Sequence, residues 1–145
     1  MTVTRRQARE WAIQLLTAAD LNPPDDRVVF LSTGWEFLAD VAAENGEACE
    51  IGGKLKAFAE ERIVGVLESM KEIDDTLSGL LDNWDLYRLG TIERVVLRMG
   101  VWELSHTDVP KAVVINEAID LANWFSSPKT RVIVNGVLDK YARSR

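Results

Sequence analysis

Few side chains in this 145-residue chain have the type and spacing for covalent chemistry. There is one histidine, His106, and one cysteine, Cys49, whereas metal-assisted or nucleophilic catalysis needs several ligands, or a nucleophile and a base, converging on one point. Cys49 sits in an acidic stretch, which disfavours its thiolate. His106 falls where a helix is predicted to end, and a cation there is favoured by the helix dipole. No Walker-type or dinucleotide-type glycine loop is present, and at 28% charged composition the many carboxylates read as a solvated surface. Catalysis, a metal and a cofactor are therefore not expected. The pattern that stands out is basic: TRRQARE, residues 4–10, sets Arg5, Arg6 and Arg9 at the head of an acidic chain. Arginine in a first helical turn opposes the dipole, so two readings stay open, contact with phosphate groups and the plain solvated start of a helix.

The bulk numbers place these residues in one expected domain, 1–145, whose 47% hydrophobic content is enough for a core. No 18-residue apolar run occurs, and MTVTRRQARE lacks the apolar core of a signal peptide. A soluble, cytoplasmic protein with no membrane partner is the expectation, and a lone cysteine fits a reducing compartment. The net charge of −6 hides an asymmetry. Residues 1–21 carry +1 and residues 128–145, with Lys129, Arg131, Lys140, Arg143 and Arg145 against Asp139, carry +4, which leaves −11 in the middle. If the first and last helices lay side by side, their cations would pool into one patch.

The elements that must hold these residues are helical. Thr4 and Gln7 have capping-box spacing, so a helix is predicted from Arg5. Ala8, Trp11, Ala12, Leu15, Leu16 and Ala19 then form one apolar stripe up to the breaker NPPDD at 22–26. Arg5 and Arg9 are one turn apart and Arg6 lies about 100° round, so the three share a flank beside that stripe. Residues 28–43 read as a helix interrupted near Gly34, and 44–54 as an acidic, glycine-rich loop. Residues 55–71 have helical period, and Asp74 is placed to cap a short helix ending at Leu81. Residues 89–104 are apolar over a wide arc and are predicted to be the most buried helix. Pro110 suits a first helical position, with Asp108 before it as cap, for a helix over 112–125. A last helix, 128–143, is predicted to bury Val132, Ile133, Val137, Leu138 and Tyr141. The β-branched runs at 113–115 and 132–134 are the places best suited to strand instead.

Several segments together resemble the NusB family of bacterial transcription antitermination factors: RRQARE, GVLESMKEIDDTL, NW at Asn83 and Trp84, IERVVLRMGVWEL, DVPKAVVINEAIDLA and VNGVLDK. The resemblance is dense over 55–140 and returns in the first helix, while 21–54 matches poorly. It implies an all-α fold of about seven helices in two packed bundles, and a function without catalysis. It also implies pairing with NusE, a small-subunit ribosomal protein, and binding of the pair to the single-stranded boxA element of nascent ribosomal RNA. Together with NusA, NusG and RNA polymerase this would favour processive transcription and ribosomal RNA maturation.

Carried over by position, the family's arginine-rich motif falls on Arg5, Arg6 and Arg9, while Gln7 replaces an arginine found in some members. Where many relatives read HKF, this chain has Arg131, Val132 and Ile133, so the resemblance puts RNA contacts on Lys129 and Arg131 and weakens stacking at Ile133. Phe125 is the remaining stacking candidate, with core packing as its plainer reading. Glu93 falls in the NusE-facing region, or is a solvated carboxylate at a helix start. Asn116, Glu117, Asn135 and Gly136 are read as structural, the glycine allowing two helices to approach.

Two other readings stand beside the RNA adaptor. One is a protein-only helical scaffold whose acidic middle binds a basic partner. The other is an accessory to ribosomal RNA cytosine methyltransferases, to which NusB-like domains are also fused; this chain leaves no room for a methyl-donor site. Trp11, Trp35, Trp84, Trp102 and Trp124 suit either cores or a dimer seam, so monomer and homodimer both remain open.

Overall fold

The computed structural model describes residues 4–46, 52–81, 85–125 and 128–145, with 124 and 125 described in backbone alone. Among the described residues there are seven α-helices, one 3-10 turn and no strand. The chain divides into two compact units, one up to Ile63 and one from Val64 onward.

The first unit holds α1 (Arg5–Leu21), α2 (Arg27–Glu44) and the opening part of α3 (Gly53–Glu68). α1 begins where its cap chemistry dictates. The Gln7 amide donates to Thr4 Oγ1 at 3.2 Å, and the Thr4 amide donates to Gln7 Oε1 at 3.0 Å, so two otherwise orphaned donors are satisfied. The stripe expected on this helix is buried throughout. Trp11 and Trp35 meet edge to face with centroids 5.7 Å apart, and the Trp35 indole donates to Glu60 at 2.7 Å. α2 is continuous, in contrast to the break expected near Gly34. This glycine is a packing residue: a Cβ there would lie 2.7 Å from Leu15 Cδ2, so its absence lets α1 and α2 approach. Asp26 starts α2 by accepting from the Val28 and Val29 amides at 3.0 and 3.2 Å. Most of the loop containing Cys49 lies outside the described residues.

The second unit is built around α5 (Thr91–His106), whose residues 94–104 are all buried, as its broad apolar arc predicted. α4 (Met70–Leu80), α6 (Lys111–Phe125) and α7 (Pro128–Arg143) pack on it. A 3-10 turn, Leu86–Arg88, precedes it with Asp85 as cap. Trp102 is buried, and its ring occupies the space that a Cβ on Gly65 would fill. Trp11, Trp35 and Trp102 are thus core residues, while the side chains of Trp84 and Trp124 lie outside the description.

Four expectations are corrected here. The periodic stretch 55–71 is broken, because Ser69 (φ −103°, ψ 16°) leaves helical geometry and α4 starts at Met70. Asp74 is consequently inside α4 and caps nothing. Its two oxygens accept from Arg98 Nε at 2.8 Å and Arg98 Nη2 at 2.9 Å, a bidentate pair tying α4 to α5. α6 starts at Lys111, and Pro110 is the residue whose carbonyl receives the Val114 amide at 3.1 Å. On α7 the buried set is Thr130, Val134, Val137, Leu138 and Ala142, whereas Val132 is 75% exposed. The β-branched runs of α6 and α7 are helical because each supplies one residue to the core, Val114 and Val134.

Candidate nucleic-acid interface

In the first unit the basic motif turns into two different environments. Arg5 is exposed and Arg6 half-buried, but Arg9 retains only 4% exposure. An aromatic side chain from α3 stands beside this group. Phe58 presents its ring to three guanidinium groups: Arg5 at 5.7 Å, Arg9 at 5.1 Å and Arg62 at 3.5 Å from the centroid. A ring face is negative and attracts planar cations, so one half-buried phenyl gathers charges that would otherwise spread apart. Arg62 is itself buried and donates to the Phe58 carbonyl at 3.2 Å and to Glu61 at 3.3 Å.

Gln7 is only partly available. Its Oε1 is committed to the cap of α1, which leaves its amide nitrogen as the atom able to meet a ligand. Phe58 and Arg62 were missed by the sequence reading, which took Phe58 as one more apolar position of a periodic helix. An Arg four residues after a Phe on one helix face was the available signal, since such residues are neighbours.

The second unit places Lys129 and Arg131 on the exposed side of α7's first turn, either side of the buried Thr130. Thr130 Oγ1 donates to Glu93 Oε1 at 2.7 Å, so the carboxylate at the start of α5 holds the start of α7. Glu93 is therefore neither simply solvated nor wholly free for a partner. It stands half-buried next to the segment that carries the two cations. The side chain of Phe125 lies outside the described residues. Asn135 and Gly136 face outward, and a Cβ on Gly136 would meet nothing within 4 Å, which overturns the expectation that this glycine allows helices to approach. Gly100 does so instead: a Cβ there would lie 2.8 Å from Leu138 Cδ1. Asn116 is also exposed, and Glu117 half-buried. His106 stacks on Trp102 at 5.2 Å with its Nδ1 3.2 Å from the Trp102 carbonyl oxygen, a structural place at the end of α5.

Among the described residues, exposed cations stand at the head of α1 and in the first turn of α7, while Asp74 and Glu93 tie elements together through Arg98 and Thr130. The chain belongs to the NusB family, whose description matches residues 6–143. The family comprises transcription antitermination factors, not enzymes. A relative from a Nitratiruptor species, named transcription antitermination protein NusB, is 39% identical over 140 residues, covering 97% of this chain and 92% of that protein. A solved structure of T. maritima NusB is 30% identical with a TM-score of 0.80, covering 99% of this chain and 93% of that one. A crystal structure of antitermination factors NusB and NusE in complex with dsRNA shares the fold, with a TM-score of 0.76, 24% identity and 97% of each chain covered.

Proposed function

We propose that this chain is an RNA-binding antitermination adaptor that, with NusE, binds the boxA element of nascent ribosomal RNA in the cytoplasm. In this role it joins an elongation complex with NusA, NusG and RNA polymerase, and it promotes processive transcription and ribosomal RNA maturation. The observation that carries the reading is the exposed Arg5 beside Arg6 at the head of α1, in a chain of this family. Arg5 and Arg6 contact phosphates, Arg9 and the Gln7 amide lie behind them, and Lys129 and Arg131 supply further charge. Phe125 is the stacking residue, and Glu93 belongs to the NusE-facing region. Support comes from relatives that carry the antitermination name and from the shared fold of a NusB crystallised with NusE and dsRNA.

The test is a titration of boxA RNA, with and without NusE, across a salt series. The chain is acidic overall, with net charge −6, so affinity alone is modest and rises when NusE is added. The logarithm of affinity falls by about 0.7 per phosphate contact for each tenfold rise in salt. Arg6→Ala flattens that slope; an unchanged slope and affinity would remove Arg6 from the site. Failure to form a ternary complex near physiological salt would sink the adaptor reading and leave a protein-only scaffold.

A further inference from the structure

Val29 and Phe37, two large apolar side chains of α2, are 58% and 63% exposed. Both line a groove of about 570 Å³ between α1 and α2, together with Leu15, Phe30 and Gly34. The groove exists because α1 and α2 pack closely at Gly34, where any larger residue would press on Leu15. A contiguous apolar surface of this kind on a water-exposed helix pair marks a contact with another molecule.

The surrounding charge decides which molecule. Asp25 and Asp26 line the groove, and residues 14–44 hold six acids against the single cation Arg27. At about 100° per residue, Asp40 and Glu36 fall about 60° and 100° from Phe37 on the Val29 flank, while Arg27 falls about 80° to the other side. RNA and an anionic lipid surface are repelled by that field. A second copy offering the same face about a two-fold axis would set acids against acids. We propose that the α1–α2 groove is the docking site of a basic amphipathic helix from a partner protein. Its apolar residues, one turn apart, would fill the space over Leu15 and Phe30, and its lysines or arginines would meet Asp25, Glu36 and Asp40. The residues involved are separate from the cationic motif, so the site stands whether or not the RNA reading holds.

The probe is a synthetic amphipathic helix of leucine and lysine, labelled for fluorescence anisotropy, with its leucine and glutamate counterpart as control, titrated into the full chain. The lysine peptide binds near physiological salt and the glutamate peptide does not. Phe37→Ser weakens binding about tenfold or more, in line with the loss of one buried aromatic side chain. The double change Glu36→Lys with Asp40→Lys, at exposed positions that leave the core intact, weakens it as well and reduces its salt dependence. Equal affinity for the unaltered chain and both variants would show only attraction to a net negative protein and would overturn the proposal. So would tighter binding of the glutamate peptide, or a concentration-dependent self-association that Phe37→Ser abolishes.

Discussion

Arg98 shows how much depends on one side chain. It is buried in the middle of α5, and its fork is matched by both oxygens of Asp74. Replacing it with Met leaves a carboxylate of 17% exposure without that partner, and removing one member of a buried pair costs about 3 kcal/mol. Urea unfolding of Arg98→Met is expected to show that loss; a change within error would mean that water replaces the guanidinium at Asp74. The pair was invisible in the sequence because its members are 24 residues apart, and because Asp74 alone has the look of a cap. The same limit applied to the basic motif. Arg5, Arg6 and Arg9 could be picked out as a cluster, since their spacing is local, but the burial of Arg9 and its approach to a ring from α3 are not encoded in any spacing within α1.

At the level of elements, the helix most completely read was α1, where cap, stripe and stop are all local signals. α7 was read rightly at Val137 and Leu138 but wrongly at its start, where Val132 is exposed and Thr130 and Val134 are buried. Val132, Ile133 and Val134 are consecutive β-branched residues, so the apolar pattern fits more than one face, and the buried Thr130 that selects the true face is polar. Its hydroxyl is acceptable in the core because Glu93 takes its proton donor. Glycines likewise gave the wrong sense twice: Gly34 suggested a break and Gly136 a close approach. Two substitutions separate these roles. Gly65→Ala drives a methyl into the Trp102 ring and is expected to destabilise by about 1–3 kcal/mol. Gly136→Ala adds a methyl to open space within a helix and is expected to stabilise by up to about 1 kcal/mol. Thermal unfolding of the two variants checks both signs, and a destabilised Gly136→Ala would mean that the outward face of α7 is not open.

For the whole molecule, burial is unevenly distributed. α5 is buried along residues 94–104, whereas α2 buries only Trp35 and Leu38. Native-state hydrogen exchange should therefore find its slowest amides in α5, opening only with global unfolding, while α2 exchanges through cheaper local openings. Equal protection of the two helices would contradict this gradient. The all-α class and the central place of α5 were legible in the sequence because long apolar periodicity is a strong signal. The two bundles were expected from the family resemblance alone, and periodicity could not place their boundary, which falls within α3. No helix among the described residues is long and apolar enough to cross a membrane.

The ring of Phe58 has a consequence for the timing of events at α1. A free arginine side chain carries about 2 kcal/mol of rotamer entropy that any anion must remove on binding. Arg9 and Arg62 lose that freedom when the helices close around the phenyl face, long before a ligand arrives. Folding thus does the ordering of these two side chains in advance, so an anion arriving at the exposed Arg5 meets a neighbourhood that is already fixed.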